Sequence, residues 1–349
     1  MNPEIRALNL QAEDSKRQWE DFLIGLGIQD FSDTEVSQLD QTLGLFSDGQ
    51  LVATGSAAGN ILKYVAVNHT DLESAGYFNR VVSALLTNLS QRGIFHVLVY
   101  TKPQYSLSFQ RVGFQEIVHS ETAAFLETGD TSISDYLAKL PHDSSGQAGA
   151  IVMNANPFTL GHRFLVEQAA TQCDRVYVFV VSTNRSLFSA KERLDLVRAG
   201  TADLKKRYRG TRADYLVSYA TFPAYFLSAT TDKIVYQTTI DALIFKERIA
   251  PEIGIATRFL GTEPQSKTTD TYNQVLQRVL PPAVRVTVLP RKTAPDGQVI
   301  SARVVRYAIK NDMIKSVQAI VPVSTYTFLN NHLEELQQRI KKGMKIDGN

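Results

Sequence analysis

Two rhythms of apolar and polar positions run along this chain, and one gives way to the other at a single place. Upstream, "LGLFSDGQLVATGSAAGNILKYVAV" alternates apolar runs around Asp48-Gly49, a pair suited to tight turns, so a hairpin followed by another strand is predicted. A helical pattern follows from about Tyr77 to Gln91, then the strand "HVLVYT" and a short helix ending at "FQRVGFQEI". Downstream, short apolar bursts alternate with amphipathic stretches. Ala150–Met153 reads as a buried strand, Asn154–Pro157 as a turn and Leu160–Ala170 as a helix. "RVYVFVV", "DYLVSY", "TRFLG" and "VRVTVLP" read as further strands, with helices at "SAKERLDLVRAGTADL", "TDKIVYQTTIDALIFKERIA" and "TYNQVLQRVL" between them. Apolar strands separated by such helices predict an α/β unit built on a doubly wound parallel sheet. The rhythm changes at "LPHDSSGQAG", Leu140–Gly149, where Pro, Ser and Gly cluster; this predicts domains over 1–140 and 149–349.

In a doubly wound sheet, ligands lie beyond the carboxyl ends of the strands, and the turn after the first strand is where nucleotide phosphates rest. Here that turn runs into "LGH". Gly161 would let a ligand approach the backbone, and His162 would put an imidazole donor on the first turn of a helix, where unpaired N–H groups and the macrodipole attract phosphate. Neither a P-loop nor a G-x-G-x-x-G is present. A second helix start, "ISARVVR", offers Ser301 as N-cap and places Arg303 and Arg306 three apart on one helix side. Alone it reads as an ordinary Ser-capped helix; facing the first it would complete a triphosphate clamp. Lys191 and Arg193 in "SAKERL" read either as added positive charge at the site or as a solvated helix face with local pairing. Gly261, Glu263 and Pro264 in "GTEP" follow a strand end, and read either as the adenine or ribose pocket or as a turn without a ligand.

Composition narrows the functional classes. The 349 residues, 44% hydrophobic, suffice for two ordinary cores. With 37 basic against 35 acidic residues the net charge is +2, which leaves no electrostatic footprint for nucleic acid or anionic lipid. No apolar run approaches the ~20 residues of a membrane span, and the first residues lack the apolar core of an export signal. Cys173 is the one cysteine, so it can form neither an internal disulfide nor a cysteine metal cluster; a reducing cytoplasm fits. Its two readings are a small hydrophobe and a nucleophile. His69, His96 and His119 show no partner spacing and read as structural or surface residues.

Asn156–His162, "NPFTLGH", resembles the T-x-G-H form of the motif shared by the nucleotidylyltransferase superfamily, and Ile300–Arg306 resembles its I-S-x-x-x-x-R signature. The upstream order of elements resembles the GNAT acetyltransferase fold, with Phe109–Phe114 similar to its F-x-x-x-G-F segment. Together "NANPFTLGHRFLVEQAA", "YATFPAYFL" and "RFLGTEPQSKTTDTYNQ" look like the citrate lyase ligase family. That resemblance implies a GNAT-like α+β domain followed by a Rossmann-like nucleotidylyltransferase domain. It implies an acid-thiol ligase that uses ATP, with Mg²⁺ riding on it, to turn acetate into acetyl-adenylate. The acetyl group would then pass to the thiol of the prosthetic group on the acyl carrier subunit of citrate lyase.

The same resemblance implies roles for residues. His162 would serve the α- and β-phosphates. Thr159 and the Gly161 turn, with Asn154, Asn156, Pro157 and Phe158, would form the phosphate cradle. Ser301 and Arg306, flanked by Ile300 and Arg303, would hold the β- and γ-phosphates. The first motif carries Asn156 where many members have Asp, and Thr159 where others have a first His, which leaves Mg²⁺ to phosphate oxygens and water. In the GNAT-like half, the pyrophosphate loop reads "VNHTDLESAGYFNR". It keeps Gly76, but the Glu73 carboxylate would repel a pyrophosphate and the Phe78 ring would crowd it, so a scaffold or docking role is expected rather than acetyl-CoA turnover. The alternatives are a nucleotidylyltransferase acting on a pantetheine phosphate or a mononucleotide, an acetyl-CoA-dependent transferase, and a non-catalytic binding module.

Overall fold

The computed structural model describes residues 3–28, 31, 33–68, 74–142, 146–182, 186–204, 208–216, 230–262, 267–294, 297, 299–344 and 346. The chain divides into two compact units, Met1–Ala138 with Phe222–Ile240, and Lys139–Thr221 with Asp241–Asn349.

The first unit is built on a seven-stranded mixed sheet. Its strands are β1 (Glu4–Ala7), β2 (Gln41–Ser47), β3 (Gln50–Ala58), β4 (Ile61–Val67), β5 (Val97–Thr101), β6 (Gln115–His119) and β7 (Ala124–Thr128), in the order β1-β2-β3-β4-β5-β7-β6. All neighbours are antiparallel except β4 and β5. The turn between β2 and β3 is the expected one: Asp48 and Gly49 sit at φ 48 and 79, the left-handed pair a tight hairpin demands. Helix Ser74–Gln91 buries Tyr77, Val81, Val82, Leu85 and Leu89 at helical spacing against this sheet. Phe78 meets Phe109 edge-on at 5.0 Å, so its ring packs within this unit's own core; Glu73 lies outside the described residues. Helix Glu13–Gly25, which the polar amino-terminal sequence did not announce, closes a second cluster of Trp19, Leu23, Val36 and Tyr64.

In the second unit β8 (Ala148–Met153), β9 (Arg175–Val181), β10 (Tyr208–Ala213), β11 (Ile255–Gly261) and β12 (Arg285–Leu289) form a sheet in the order β10-β9-β8-β11-β12, with every neighbouring pair parallel. Strand order therefore reverses at β8, and the crevice beyond the carboxyl ends of β8 and β11 is the switch point of a doubly wound sheet. One element differs from the sequence expectation. The strand lies at Tyr208–Ala213 rather than at "DYLVSY", because Val176–Val181 of β9 supplies the parallel ladder there; Tyr215 and Leu216 are buried just past its end, and 217–219 lie outside the described residues. The long helix expected at 231–250 is an α-helix over Thr230–Ile244 that continues as a π turn, Phe245–Ile249, and stops at Gly254 in the left-handed region.

Along β8, β9 and β11 the side chains alternate between two faces. Ile151, Met153, Val176, Val178 and Phe259 join Val166, Val197, Val305 and Leu329 from four helices in one core. Those helices are Leu160–Gln172, Ala190–Gly200, Ala302–Lys310 and Val323–Lys341, the last absent from the sequence reading. Tyr177 and Phe179 belong to the alternate set, and Phe179 meets Phe245 edge-on at 6.2 Å. Gly149 on β8 is where this packing is tightest: a Cβ there would lie 2.6 Å from the Phe259 ring and 2.8 Å from Cys173 Sγ. Gly149→Ala should therefore destabilise this unit by about 1–3 kcal/mol through overpacking. Urea denaturation reads it directly, and an unchanged midpoint would show that the core yields at no cost.

Candidate functional site

The turn between β8 and helix Leu160–Gln172 is held from below by two buried arginines. Arg193, fully buried, donates from Nη1 to the Asn154 carbonyl at 2.9 Å and to Asn154 Oδ1 at 2.5 Å, and from Nε to the Phe188 carbonyl at 3.1 Å. Burial draws its pKa down to about 10, which still leaves it cationic at neutral pH. Arg306, 1% exposed, donates from Nη1 to the Asn156 carbonyl at 2.5 Å and from Nε to the Ile346 carbonyl at 2.7 Å. Asn156 Oδ1 accepts the Phe188 N–H at 3.2 Å, and the Phe158 carbonyl accepts from Thr325 Oγ1 at 3.0 Å. Phe158 is fully buried against Gly200, whose hypothetical Cβ would meet its ring at 2.6 Å. Carbonyls that point into the protein leave the turn's other edge to the cavity.

Thr159 caps the helix, and His162 closes a reciprocal capping box in which it takes the place usually held by Glu. The Thr159 N–H donates to His162 Nδ1 at 3.1 Å, and Thr159 Oγ1 lies 3.0 Å from the same nitrogen. A backbone N–H can only donate, so Nδ1 carries the lone pair and the ring proton sits on Nε2. Burial, then the charges of Arg291 and Arg306, press the imidazole pKa down to about 4. His162 is thus a neutral donor at physiological pH, stacked on Phe158 with ring centroids 5.8 Å apart.

The second helix start adjoins the first. A Cβ on Gly161 would sit 3.4 Å from the Ile300 carbonyl oxygen, and Ser301 caps helix Ala302–Lys310 by accepting the Arg303 N–H at 3.2 Å. Between them opens a cavity of about 280 Å³ at the carboxyl ends of β8 and β11. Asn154, Thr159, Gly161, His162, Gly261, Ile300, Ser301 and Arg303 line it, so both motifs contribute to one space.

Other expected residues fall elsewhere. Arg306, expected at the β- and γ-phosphates, donates to the Asn156 and Ile346 carbonyls and is not among the residues that line the cavity. Arg193, Asn156, Pro157 and Phe158 also do not line the cavity; they brace the turn or are packed beneath it. Lys191 is the solvated residue of its pair, exposed on the helix and bonded to Asp195 at 2.7 Å. Glu263 and Pro264 lie outside the described residues.

The structure adds lining residues that sequence reasoning missed. Arg291 and Lys292 follow β12; Arg291 donates from Nε to the Thr262 carbonyl at 2.8 Å, and Lys292 Nζ lies 5.7 Å from the Phe164 ring centroid. Their signal was the "RK" just past "VRVTVLP", a pair of cations at the carboxyl end of a strand. Tyr272 and Asn273 lie in the family-like stretch "RFLGTEPQSKTTDTYNQ" without having been singled out, and Asp241 had no signal beyond being a polar position of an amphipathic helix.

The second unit is thus a doubly wound α/β unit in which two helix amino termini and the cationic side chains of Arg291, Lys292 and Arg303 meet at one pocket. Residues 148–329 match the family described as "Citrate lyase ligase C-terminal domain". The chain is 34% identical over 301 residues to the citrate (pro-3S)-lyase ligase of Escherichia coli (strain K12), covering 83% of this chain and 85% of that protein. It is 36% identical over 297 residues to that of Klebsiella pneumoniae, covering 83% and 86%. Among solved structures, the aminoglycoside 6'-N-acetyltransferase from Enterococcus faecium aligns with 36% of this chain and 96% of its own at 10% identity and a TM-score of 0.32. The chain belongs to the citrate lyase ligase family.

His162 gives the electrostatic picture a direct check. The folded protein binds this proton less tightly than an unfolded chain, whose imidazole titrates near 6.5, so the group costs stability as pH falls from 6.5 through about 4. Nitrogen-detected NMR should find His162 as the neutral Nε2–H tautomer throughout the range above pH 5 or so. A midpoint near 6.5 would contradict both the burial and the capping geometry.

Proposed function

We propose that this chain works as an acid-thiol ligase that activates acetate with ATP and acetylates the thiol of the prosthetic group on the acyl carrier subunit of citrate lyase. The observation that carries the reading is the meeting of Gly161-His162 and Ser301-Arg303 in one cavity within a chain of the citrate lyase ligase family. In the first step an acetate oxygen attacks the α-phosphorus and the bond to the α,β-bridging oxygen breaks, releasing pyrophosphate. Negative charge grows on the α-phosphoryl and bridging oxygens. The His162 Nε2–H and the open backbone N–H groups of its helix would stabilise that charge, already oriented and partly shielded from water. Ser301, Arg303, Arg291 and Lys292 would hold the β- and γ-phosphates. In the second step the carrier thiol attacks the acetyl carbonyl, the thiol proton leaves and AMP departs, giving the thioester that makes citrate lyase active.

Among the described residues no group of three or more His, Cys, Asp or Glu is placed to hold a metal ion. Mg²⁺ would then enter on the nucleotide, coordinated by phosphate oxygens and water. The unit carrying β1–β7 serves in this reading as scaffold or carrier recognition. Among the described residues no helix is long and apolar enough to cross a membrane, and a cytoplasmic setting suits the lone thiol Cys173 and the proposed carrier partner.

The reading is tested by ATP–pyrophosphate exchange with a panel of short carboxylates. Exchange should depend on acetate and not on pantetheine phosphate or a mononucleotide. His162→Ala should lower it by roughly 10² to 10³, the scale of one lost preorganised donor, with the fold intact. Exchange that is indifferent to acetate, or near normal in the variant, would remove the assignment.

A further inference from the structure

Among the described residues Arg258 on β11 is a charge buried without a counter-ion. It is 0% exposed, and among the described residues its Nε and Nη1 have no hydrogen-bond partner. Its guanidinium lies over the Phe245 ring at 4.4 Å, and Nη2 reaches the Tyr272 hydroxyl only at 3.4 Å. Among the described residues it forms no ion pair. A buried guanidinium left this way is costly, and an anion that arrives with a ligand would relieve the cost.

Tyr272 connects Arg258 to the cavity. Its hydroxyl donates to Asp241 Oδ2 at 2.7 Å, and both residues line the cavity together with apolar Val152, Val181 and Leu260. The phosphates of a nucleotide already have Arg291, Lys292 and Arg303 in the same wall. The proposed reaction brings one more anion, the acid, and leaves it without an assigned cation. Asp241 bears on which anion suits this corner: beside its negative charge a small monocarboxylate meets less repulsion than a phosphate.

We propose that Arg258 and Tyr272 recognise the carboxylate of a short aliphatic acid, whose alkyl group rests against Val152, Val181 and Leu260. The proposal rests on the ligase reading above. Arg258 is not on the cavity surface, so its contact with the acid follows rotation of the Tyr272 hydroxyl away from Asp241. The acid's carboxylate then accepts hydrogen bonds from the Tyr272 hydroxyl and a guanidinium N–H, and Asp241 passes to the second rank of neighbours.

The full-length chain tests this by acid-dependent ATP–pyrophosphate exchange, with Michaelis constants for acetate and for ATP measured separately and thermal melting alongside. Arg258→Met should raise the constant for acetate roughly 10- to 100-fold while the constant for ATP stays within about twofold, as loss of a charge-assisted hydrogen bond to the acid alone requires. Arg258→Lys should recover part of the loss. Tyr272→Phe removes one oxygen, keeps the shape and should raise the acetate constant several-fold, so it reports even if Arg258→Met does not fold. An unchanged acetate constant in Tyr272→Phe and Arg258→Lys overturns the proposal, as does a constant for ATP that rises in step. A wild-type chain without exchange on any short carboxylate removes the ligase reading and this inference together, an outcome distinct from an active wild type with indifferent variants.

Discussion

The site in the second unit depends on the Arg306 guanidinium. It is buried, and it joins the second motif's helix to the Asn156 carbonyl of the first motif's turn and to the Ile346 carbonyl near the end of the chain. Removing the donor of such a buried contact typically costs about 1–3 kcal/mol for each carbonyl left without a partner. Two helix starts 140 residues apart in sequence acquire a fixed spacing from this one side chain. Arg193 does the same for Asn154 on the other side of the turn. The cavity is therefore framed by charges that do not enter it.

That division of labour explains the electrostatics. Burial first, then the charges of Arg291 and Arg306, keeps His162 unprotonated at neutral pH, so the imidazole acts as a dipole with a defined donor rather than as a fixed positive charge. Cations that line the space, Arg291, Lys292 and Arg303, come from the end of β12 and the start of the second motif's helix. In the proposed reaction phosphate charge would be met by them and by the helix amino termini, while His162 would stay a neutral donor where charge develops during transfer.

Local physics made part of this legible in the sequence. Thr159, Gly161, His162 and Ser301 act through capping and backbone approach, which depend on neighbours within a turn, and the structure places all four on the cavity. The parallel sheet was legible because β8 and β9 are nearly continuous apolar runs separated by an amphipathic helix. The burial of Arg306 and Arg193 was not legible for one reason: a sequence displays a charge but not whether the fold covers it. Arg258 opens the family-like stretch "RFLGTEPQSKTTDTYNQ" but its burial was not legible, since an arginine inside "TRFLG" looks like an interruption of a strand. The strand at Tyr208–Ala213 was hidden because its apolar content is low and its pairing with β9, a long-range fact, fixes its position.

The frame itself is tested most directly by calorimetric titration of Arg306→Lys with ATP, ADP and AMP, on protein whose melting shows it folded. If Arg306 sets the spacing of the two motifs, the variant should lose affinity for ATP and ADP by similar factors, within about threefold of each other, because the whole phosphate site is displaced. If ATP binding instead falls about tenfold or more beyond ADP binding, the guanidinium holds the γ-phosphate itself, and the account of a buried frame is wrong.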